Sequence, residues 1–192
     1  MFHMQTTLNN CIANAEGQFW EPFPWGEEET AYLNQQFREA DTWAMGRTTY
    51  QTIVPWWDTV AAGGTPDDAP VITGADREFA ALQKSMTKVV FSTTLRPSAD
   101  RVVVGGDIAK ELAALKQRDG KDILLSCGPA TLAPLANAAG LVDEYLLVVN
   151  PAVLRAGPRV FDRVDQDLAL RLVDSKIFDA GAVVLRYQVV PS

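Results

Sequence analysis

Apolar residues fall along this chain in short unbroken runs, separated by stretches where they recur at helical spacing, and the two patterns alternate. HMQTTL opens as a short strand. A polar, aromatic-rich loop follows, and then EETAYLNQQFREA, a helix with Tyr32, Leu33, Gln36 and Phe37 at helical spacing. TWAM is a strand closed by Gly46. RTTYQTIVPWW reads as a helix that Pro55 ends or kinks, because proline lacks the N–H that the helix ladder needs. DTVAAGGTPDDAP is the most loop-like segment, and DREFAALQKS is a helix with Asp76 as its N-cap.

KVVFS and RVVV are strands. DIAKELAALKQRDG sets Ile108, Leu112 and Leu115 on one helix face and stops at Gly120. DILLSC is the next strand. Pro134 fits a helix only in its first turn, so the following helix is expected to start near Ala130 or Thr131 and end at Gly140. DEYLLVVNP is a further strand, and LALRLVDSKIF and AVVLRYQVV flank Asp179-Ala180-Gly181 as an antiparallel hairpin. This order predicts a single α/β domain over residues 1–192, with a mainly parallel sheet flanked by helices and an antiparallel C-terminal hairpin.

Composition narrows the partners. The chain has no apolar run of about 18 residues, and MFHMQTTLNN lacks the basic-then-apolar order of a signal peptide, so the expectation is a cytoplasmic protein with no membrane partner. Cys11 and Cys127 make no metal-ligand spacing, and His3 is the only histidine, which argues against metal or Ser-His chemistry. A net charge of -7 argues against nucleic acid, which is bound through basic surfaces. A small molecule is the expected partner.

If the strands WAM, VVF and ILLS are parallel, then Gly46-Arg47-Thr48-Thr49, Ser92-Thr93-Thr94 and Cys127-Gly128-Pro129-Ala130 all leave at carboxyl ends of strands, where open α/β sheets bind ligands. The first and third open helices whose free N–H groups suit a phosphate, and the second supplies hydroxyl donors. Any one such turn is ordinarily just a short connection; three together suit a dinucleotide. Arg47 stands in the first turn of a helix, facing the positive end of the dipole, which an anionic partner would turn from a cost into a gain. A surface pair with a carboxylate is the equal alternative. No GxGxxG follows a strand and no GxxxxGK occurs, so neither familiar nucleotide motif applies.

MGRTTYQTI, KVVFSTTL, ILLSCGPATLAPL and GLVDEYLLVVNPAVLRAGPRVF, in this order, resemble the dihydrofolate reductase-like superfamily, and most closely the C-terminal reductase domain of the bifunctional riboflavin-biosynthesis protein. The resemblance runs over roughly residues 4 to 190. It implies a dimeric, NADPH-dependent reductase passing a hydride to a pterin-like or ribosylamino-pyrimidine substrate. By position it puts Gly46, Arg47, Thr48 and Thr49 near the adenosine phosphates, Ser92, Thr93 and Thr94 beside the adenine ribose, and Cys127, Gly128, Pro129, Ala130 and Thr131 under the pyrophosphate. It also implies a cis peptide in that last turn, at Cys127-Gly128 or Gly128-Pro129. The chain departs from the family pattern at Thr7-Leu8-Asn9-Asn10, where relatives carry Ser-Leu-Asp-Gly, at Cys127 and Pro129, and at Arg155-Ala156, where a glycine pair is usual.

For the remaining chemistry, Glu29 at the start of the first helix is the acid considered for catalysis, against the ordinary reading of a solvated acidic first turn. Asn9, Trp25 and Trp57 are the residues considered for substrate, Trp57 by its match to a tryptophan common in relatives; Trp20, Phe23 and Trp56 are further rings on which a heterocycle would stack, and core packing is the alternative for all of them. The alternative to a reductase is a nucleotide-binding or dimerisation module on the same fold without turnover.

Overall fold

The computed structural model describes residues 1–19, 23, 26–67, 69 and 71–191. Its elements are β1 (Phe2–Thr7), α1 (Glu27–Arg38), β2 (Ala40–Gly46), α2 (Arg47–Ala61), α3 (Gly74–Ser85), β3 (Thr87–Phe91), β4 (Val102–Val104), α4 (Ile108–Lys116), β5 (Asp122–Ser126), α5 (Pro129–Ala136), β6 (Glu144–Asn150), β7 (Leu170–Ile177) and β8 (Val183–Val189). The strands form one eight-stranded sheet in the order β4-β3-β2-β5-β1-β6-β8-β7. β2 pairs parallel with β3, β3 with β4, and β1 with both β5 and β6. β8 runs antiparallel to β6 and β7, as the C-terminal hairpin pattern predicts. Strand β6 lies inside the sheet, and β4 and β7 are its two edges. No helix among the described residues is long and apolar enough to cross a membrane.

The chain falls into two compact units, one of Trp25–Gly105 and Asp119–Leu124, the other of Met1–Pro24, Gly106–Arg118 and Leu125–Ser192. The first is built on an aromatic core. Phe37 packs edge-on to Trp43 and Phe79, with ring centroids 5.1 and 4.7 Å apart, and Trp57 meets Phe79 at 4.6 Å. Pro55 does not end α2, which runs on to Ala61. A proline inside a helix costs about 3 kcal/mol, and burying one large apolar side chain returns roughly 1.5–3 kcal/mol. Trp57 and Val60, both beyond Pro55, are each only 4% exposed, so continuing the helix recovers what the proline loses.

Asp76 is not the N-cap of α3; Thr73 is, in a capping box where Thr73 Oγ1 accepts from the Asp76 N–H at 3.2 Å and Asp76 Oδ2 accepts from the Thr73 N–H at 2.9 Å. Asp76 Oδ1 also accepts from Thr30 Oγ1 at 3.1 Å, and Asn34 Nδ2 donates to the Ala75 carbonyl at 3.0 Å, locking α1 to α3. At the other end of α3, Lys88 is buried with its ammonium donating to the Gln83 and Met86 carbonyls, the second at 3.3 Å; burial lowers its pKa.

In the second unit, Phe2, Leu132, Leu135, Tyr145 and Leu146 are essentially sealed from solvent. Helix α5 starts one residue earlier than the proline rule suggests, because Pro129 itself takes the first helical position, where its fixed φ fits and its missing N–H is not needed. Pro134 consequently lies beyond the first turn, inside the helix. Among the described residues there is no cis peptide, so the bonds at Cys127-Gly128 and Gly128-Pro129 are trans, and an extended Gly128 (φ -71°, ψ 174°) makes the turn instead.

Candidate functional site

Two of the three expected strand ends lie in the first unit and meet there. The register sets Gly46 of β2 beside Phe91 of β3, so the residues that follow each strand emerge side by side. Gly46 is extended (φ -76°, ψ 160°) and starts α2 with no side-chain cap, leaving the first N–H groups of that helix without a side-chain acceptor. Arg47 and Thr48 are exposed and Thr49 is half-buried. Arg47 Nη1 donates to Thr94 Oγ1 at 3.2 Å, which joins the two segments directly. Ser92 shapes its own loop, its hydroxyl accepting from the Thr94 and Leu95 N–H groups at 3.2 and 3.0 Å, and leaves Thr93 and Thr94 exposed. Gly105 allows β4 to close over this loop, since a Cβ there would stand 3.2 Å from the Ser92 carbonyl oxygen.

Behind this loop lies a polar network that sequence reading did not find. The Tyr50 hydroxyl donates to Asp100 Oδ2 and accepts from Arg101 Nη1 at 3.0 Å, and the Arg101 guanidinium lies 5.1 Å from the Tyr50 ring centroid. Hydrogen bonds from Ser98 and then Tyr50 hold the Asp100 carboxyl at about 2, so it is ionised at all ordinary pH. Burial, aided by Asp100, raises the Tyr50 pKa. The one available signal was Tyr50 three residues after Arg47; its partners come from the far side of β3.

Glu29 is the only buried acid of the three that open α1, Glu27 and Glu28 being exposed. It folds back over Gly26, where an added Cβ would stand 2.7 Å from Glu29 Oε2, and its Oε1 has no hydrogen-bond partner. Trp57, 4% exposed, is part of the aromatic core, with Trp56 edge-on to it at 4.6 Å. Phe23 is buried, and Trp20 and Trp25 lie outside the described residues.

The third strand end belongs to the second unit. Helix α5 also begins without a side-chain cap, at Gly128. The N–H groups of Thr131 and Leu132 turn back to the Gly128 carbonyl at 3.1 and 3.0 Å, and Pro129 has none, so Ala130 is the residue of that first turn left to donate outward. The Cys127 thiol is buried, and burial raises its pKa, which keeps it protonated and unreactive. Burial likewise pushes Tyr145 to about 12 and lowers His3 to about 4, leaving His3 neutral at pH 7 with its Nε2 unpartnered.

The departure at Asn9-Asn10 has a structural explanation. Asn10 has φ 64°, the left-handed conformation that glycine adopts freely and asparagine tolerates best among the others. The Asn9 amide ties its loop to Leu154: Oδ1 accepts from Thr7 Oγ1 at 2.8 Å and from the Leu154 N–H at 3.2 Å, while Nδ2 donates to the Leu154 carbonyl at 2.8 Å. A carboxylate at this position would lose that last bond. Gly157 completes the arrangement, with φ 144° and its backbone so close to Ala13 that a Cβ would fall 2.1 Å from the Ala13 carbonyl oxygen.

Comparison with known proteins is consistent over the whole chain. The family model for the RibD C-terminal domain matches residues 1–184. An uncharacterised protein of Bacillus subtilis, YyaP, is 31% identical over 159 residues, covering 82% of this chain and 77% of that protein. Among solved structures, the deaminase/5-amino-6-(5-phosphoribosylamino)uracil reductase of Thermotoga maritima aligns over 98% of this chain and 56% of its own length, with a TM-score of 0.68 at 16% identity. The dihydrofolate reductase of Enterococcus faecalis, complexed with NADP(H), aligns over 98% of this chain and 94% of its own, with a TM-score of 0.61 at 12% identity. The fold is therefore dihydrofolate reductase-like.

Proposed function

The chain belongs to the RibD C-terminal domain family, and from that premise we propose that it is an NADPH-dependent reductase of a small heterocyclic substrate, pterin-like or ribosylamino-pyrimidine. The observation that carries this reading is the pair of helices, α2 and α5, that start at strand ends with no side chain of their own closing the free N–H groups. Such starts fit phosphate oxygens. The same fold in the E. faecalis reductase is complexed with NADP(H), and the T. maritima protein is named as a uracil-derivative reductase.

In this reading Gly46, Arg47, Thr48 and Thr49, with Ser92, Thr93 and Thr94, hold the adenosine end of the cofactor. Cys127, Gly128, Pro129, Ala130 and Thr131 line the pyrophosphate, with the Ala130 N–H the donor of that first helical turn left to reach it and the buried thiol taking no part. The bound nicotinamide supplies the hydride. Glu29, buried with one oxygen unpartnered, is the side chain this reading assigns to catalysis. A second reading, a nucleotide-binding module without turnover, draws on the engagement of Asn9 with Leu154 and of Trp57 with the aromatic core, which leaves two of the residues considered for substrate occupied by structure.

Arg47 separates NADPH from NADH. Its planar donor fork suits a 2′-phosphate, which would also relieve the cation's unfavourable place at the start of α2. Arg47→Ala should weaken NADPH by roughly 1.5–3 kcal/mol and leave NADH nearly unchanged, as read by tryptophan fluorescence titration of both cofactors. Equal losses, or none, would take Arg47 out of the site. Oxidation of NADPH by the purified protein with dihydropterins, dihydrofolate or ribosylamino-pyrimidines then decides between the readings: binding without turnover on all of them selects the second.

A further inference from the structure

Two side chains of α2 reach the loop that joins β3 to β4, Arg47 and Tyr50, and they stand one helical turn apart on the same face. They reach it in different ways. Arg47 is exposed and meets a neutral hydroxyl, Thr94 Oγ1, at 3.2 Å. Tyr50 is buried, and its hydroxyl gathers the loop from within.

Arg96, Ser98, Asp100 and Arg101 all converge on that one hydroxyl. It donates to Asp100 Oδ2, and the other oxygen of that carboxylate accepts from the Ser98 hydroxyl. It accepts from Arg101 Nη1 at 3.0 Å, and Arg101 Nε carries the connection on to the Arg96 carbonyl at 3.2 Å. The backbones of Ser98 and Arg101 close the turn on each other at 3.4 and 3.3 Å. Burial does not hold this loop, since Thr93, Thr94 and residues 96–100 are exposed and Leu95 is half-buried. A segment with so little buried apolar surface opens easily unless polar contacts tie it down.

Charge separates the two arginines. Arg101 is matched by Asp100, 3.4 Å away, and lies over the Tyr50 ring at 5.1 Å, so its charge is already answered inside the protein. Arg47 faces a hydroxyl and the positive end of a helix, which leaves its charge open. One is built to hold the loop and the other to receive an anion.

We propose that Tyr50, Asp100 and Arg101 form a latch that fixes the loop after β3 to α2 in the ligand-free protein, so that the Thr93 and Thr94 hydroxyls already stand beside Arg47 when the cofactor's adenosine phosphate arrives. These are positioning residues, and none of the three touches the cofactor. Binding then has no loop to order, and the affinity that ordering would consume is kept. As the anion comes in, Arg47 exchanges Thr94 for it while Tyr50 keeps its partners, because the two contacts use different side chains. The inference rests on the reading that this edge takes the adenosine end of NADPH.

Tyr50→Phe is the test, since it removes one oxygen and keeps the ring over which Arg101 lies. Binding is read by isothermal titration with adenosine 2′,5′-bisphosphate, which carries the adenosine end alone, and with NADPH. Affinity for both should fall about tenfold, the equivalent of ordering one or two side chains afresh. Asp100→Ala, at an exposed position, should lose a similar factor and guards against a folding defect in the first variant. Amide hydrogen exchange of the ligand-free variants should quicken at Thr94, Leu95 and Arg101, whose N–H groups are bonded within the loop, and should stay as in wild type along α2 and β3. Saturating adenosine 2′,5′-bisphosphate should restore the protection. A loss confined to Arg101→Gln, with Tyr50→Phe and Asp100→Ala binding as wild type, would make Arg101 a ligand and overturn the latch. Exchange quickened throughout α2 and β3 would also overturn it, being the mark of a merely structural role. Wild-type protein that binds neither probe defeats the reductase reading and this inference together, whereas a wild type that binds both and is equalled by Tyr50→Phe defeats this inference alone.

Discussion

Helices α2 and α5 begin open, while α3 and α4 begin closed. Glycine precedes each of the first pair, at Gly46 and Gly128, with no side chain returning to the helix end. Thr73 with Asp76 seals α3, and Asp107 seals α4 by accepting from the Ala109 and Lys110 N–H groups at 3.1 and 3.2 Å. The first turns differ in charge as well: α3 and α4 carry Asp76 and Glu111 there, whereas α2 has no acid and starts on Arg47. Helix α1 also starts without a side-chain cap, at Gly26, but carries Glu27, Glu28 and Glu29 in its first turn; at about 1 kcal/mol per side-chain cap, the open starts of α2 and α5, the two that directly follow strands, are stability left unclaimed. They coincide with the strand ends where the family resemblance puts the cofactor. The difference teaches that an open helix end is informative only against closed ones in the same chain.

Closing an open end should have the largest effect. Gly128 is extended with φ -71°, a conformation any residue adopts, and an added Cβ would meet only Ile12 Cδ1, at 3.7 Å. Gly128→Asp should therefore fold, with stability unchanged or raised by about 1 kcal/mol through capping. Its carboxylate would occupy the place proposed for the pyrophosphate, and repulsion between charges some 4 Å apart is about 4 kcal/mol near a protein surface, enough to weaken NADPH by more than 100-fold. Isothermal titration of NADPH, paired with urea unfolding, reads both. Wild-type affinity in this variant would show that the open start of α5 seats no anion.

How much of this contrast was legible beforehand depends on the distance over which each feature is determined. The strands announced themselves as apolar runs, and α1 and α4 by spacing, because those patterns are local. Gly46 and Gly128 were legible as turns for the same reason. The α3 cap was misplaced by three residues, since Thr73 and Asp76 both suit the role and only geometry shows them sharing it. Pro55 misled because its local cost was visible while the burial of Trp57 and Val60 beyond it was not. The Tyr50-Asp100-Arg101 network was out of reach: its members are about fifty positions apart in sequence and meet only through the loop after β3. Asn10, by contrast, stood where relatives carry glycine, and its positive φ accounts for that exchange directly.

Opening a closed end should cost stability and nothing else. Asp76→Ala removes the acceptor from the Thr73 N–H and hydroxyl and one of the two acceptors of the buried Thr30 hydroxyl, the other being the Gly26 carbonyl at 3.1 Å. One lost cap and one lost buried hydrogen bond sum to roughly 2 kcal/mol. Urea unfolding should show that loss, with the affinity for NADPH at 25 °C within about twofold of wild type, the scale of an indirect effect under RT ln 2. A large loss of affinity from this closed end would erase the distinction between the two kinds of helix start.

The smallest effect lies in the charge at the start of α2. Arg47 there meets the positive end of the helix dipole, an arrangement that costs about 0.3–1 kcal/mol when nothing anionic is bound. Glutamine keeps a donor for Thr94 Oγ1, now reached by Arg47 Nη1 at 3.2 Å, while removing the charge. Arg47→Gln should thus raise the stability of the ligand-free protein by a few tenths of a kcal/mol to about 1 kcal/mol, and the gain should shrink as salt screens the dipole. Saturating NADPH should reverse the order of the two proteins, because the arginine then has its anion and the glutamine does not. Thermal melts of both proteins, with and without NADPH and at low and high salt, give the four comparisons. A ligand-free Arg47→Gln less stable than wild type would mean that the arginine is held by its surroundings on α2, and that its position there says nothing about an anion.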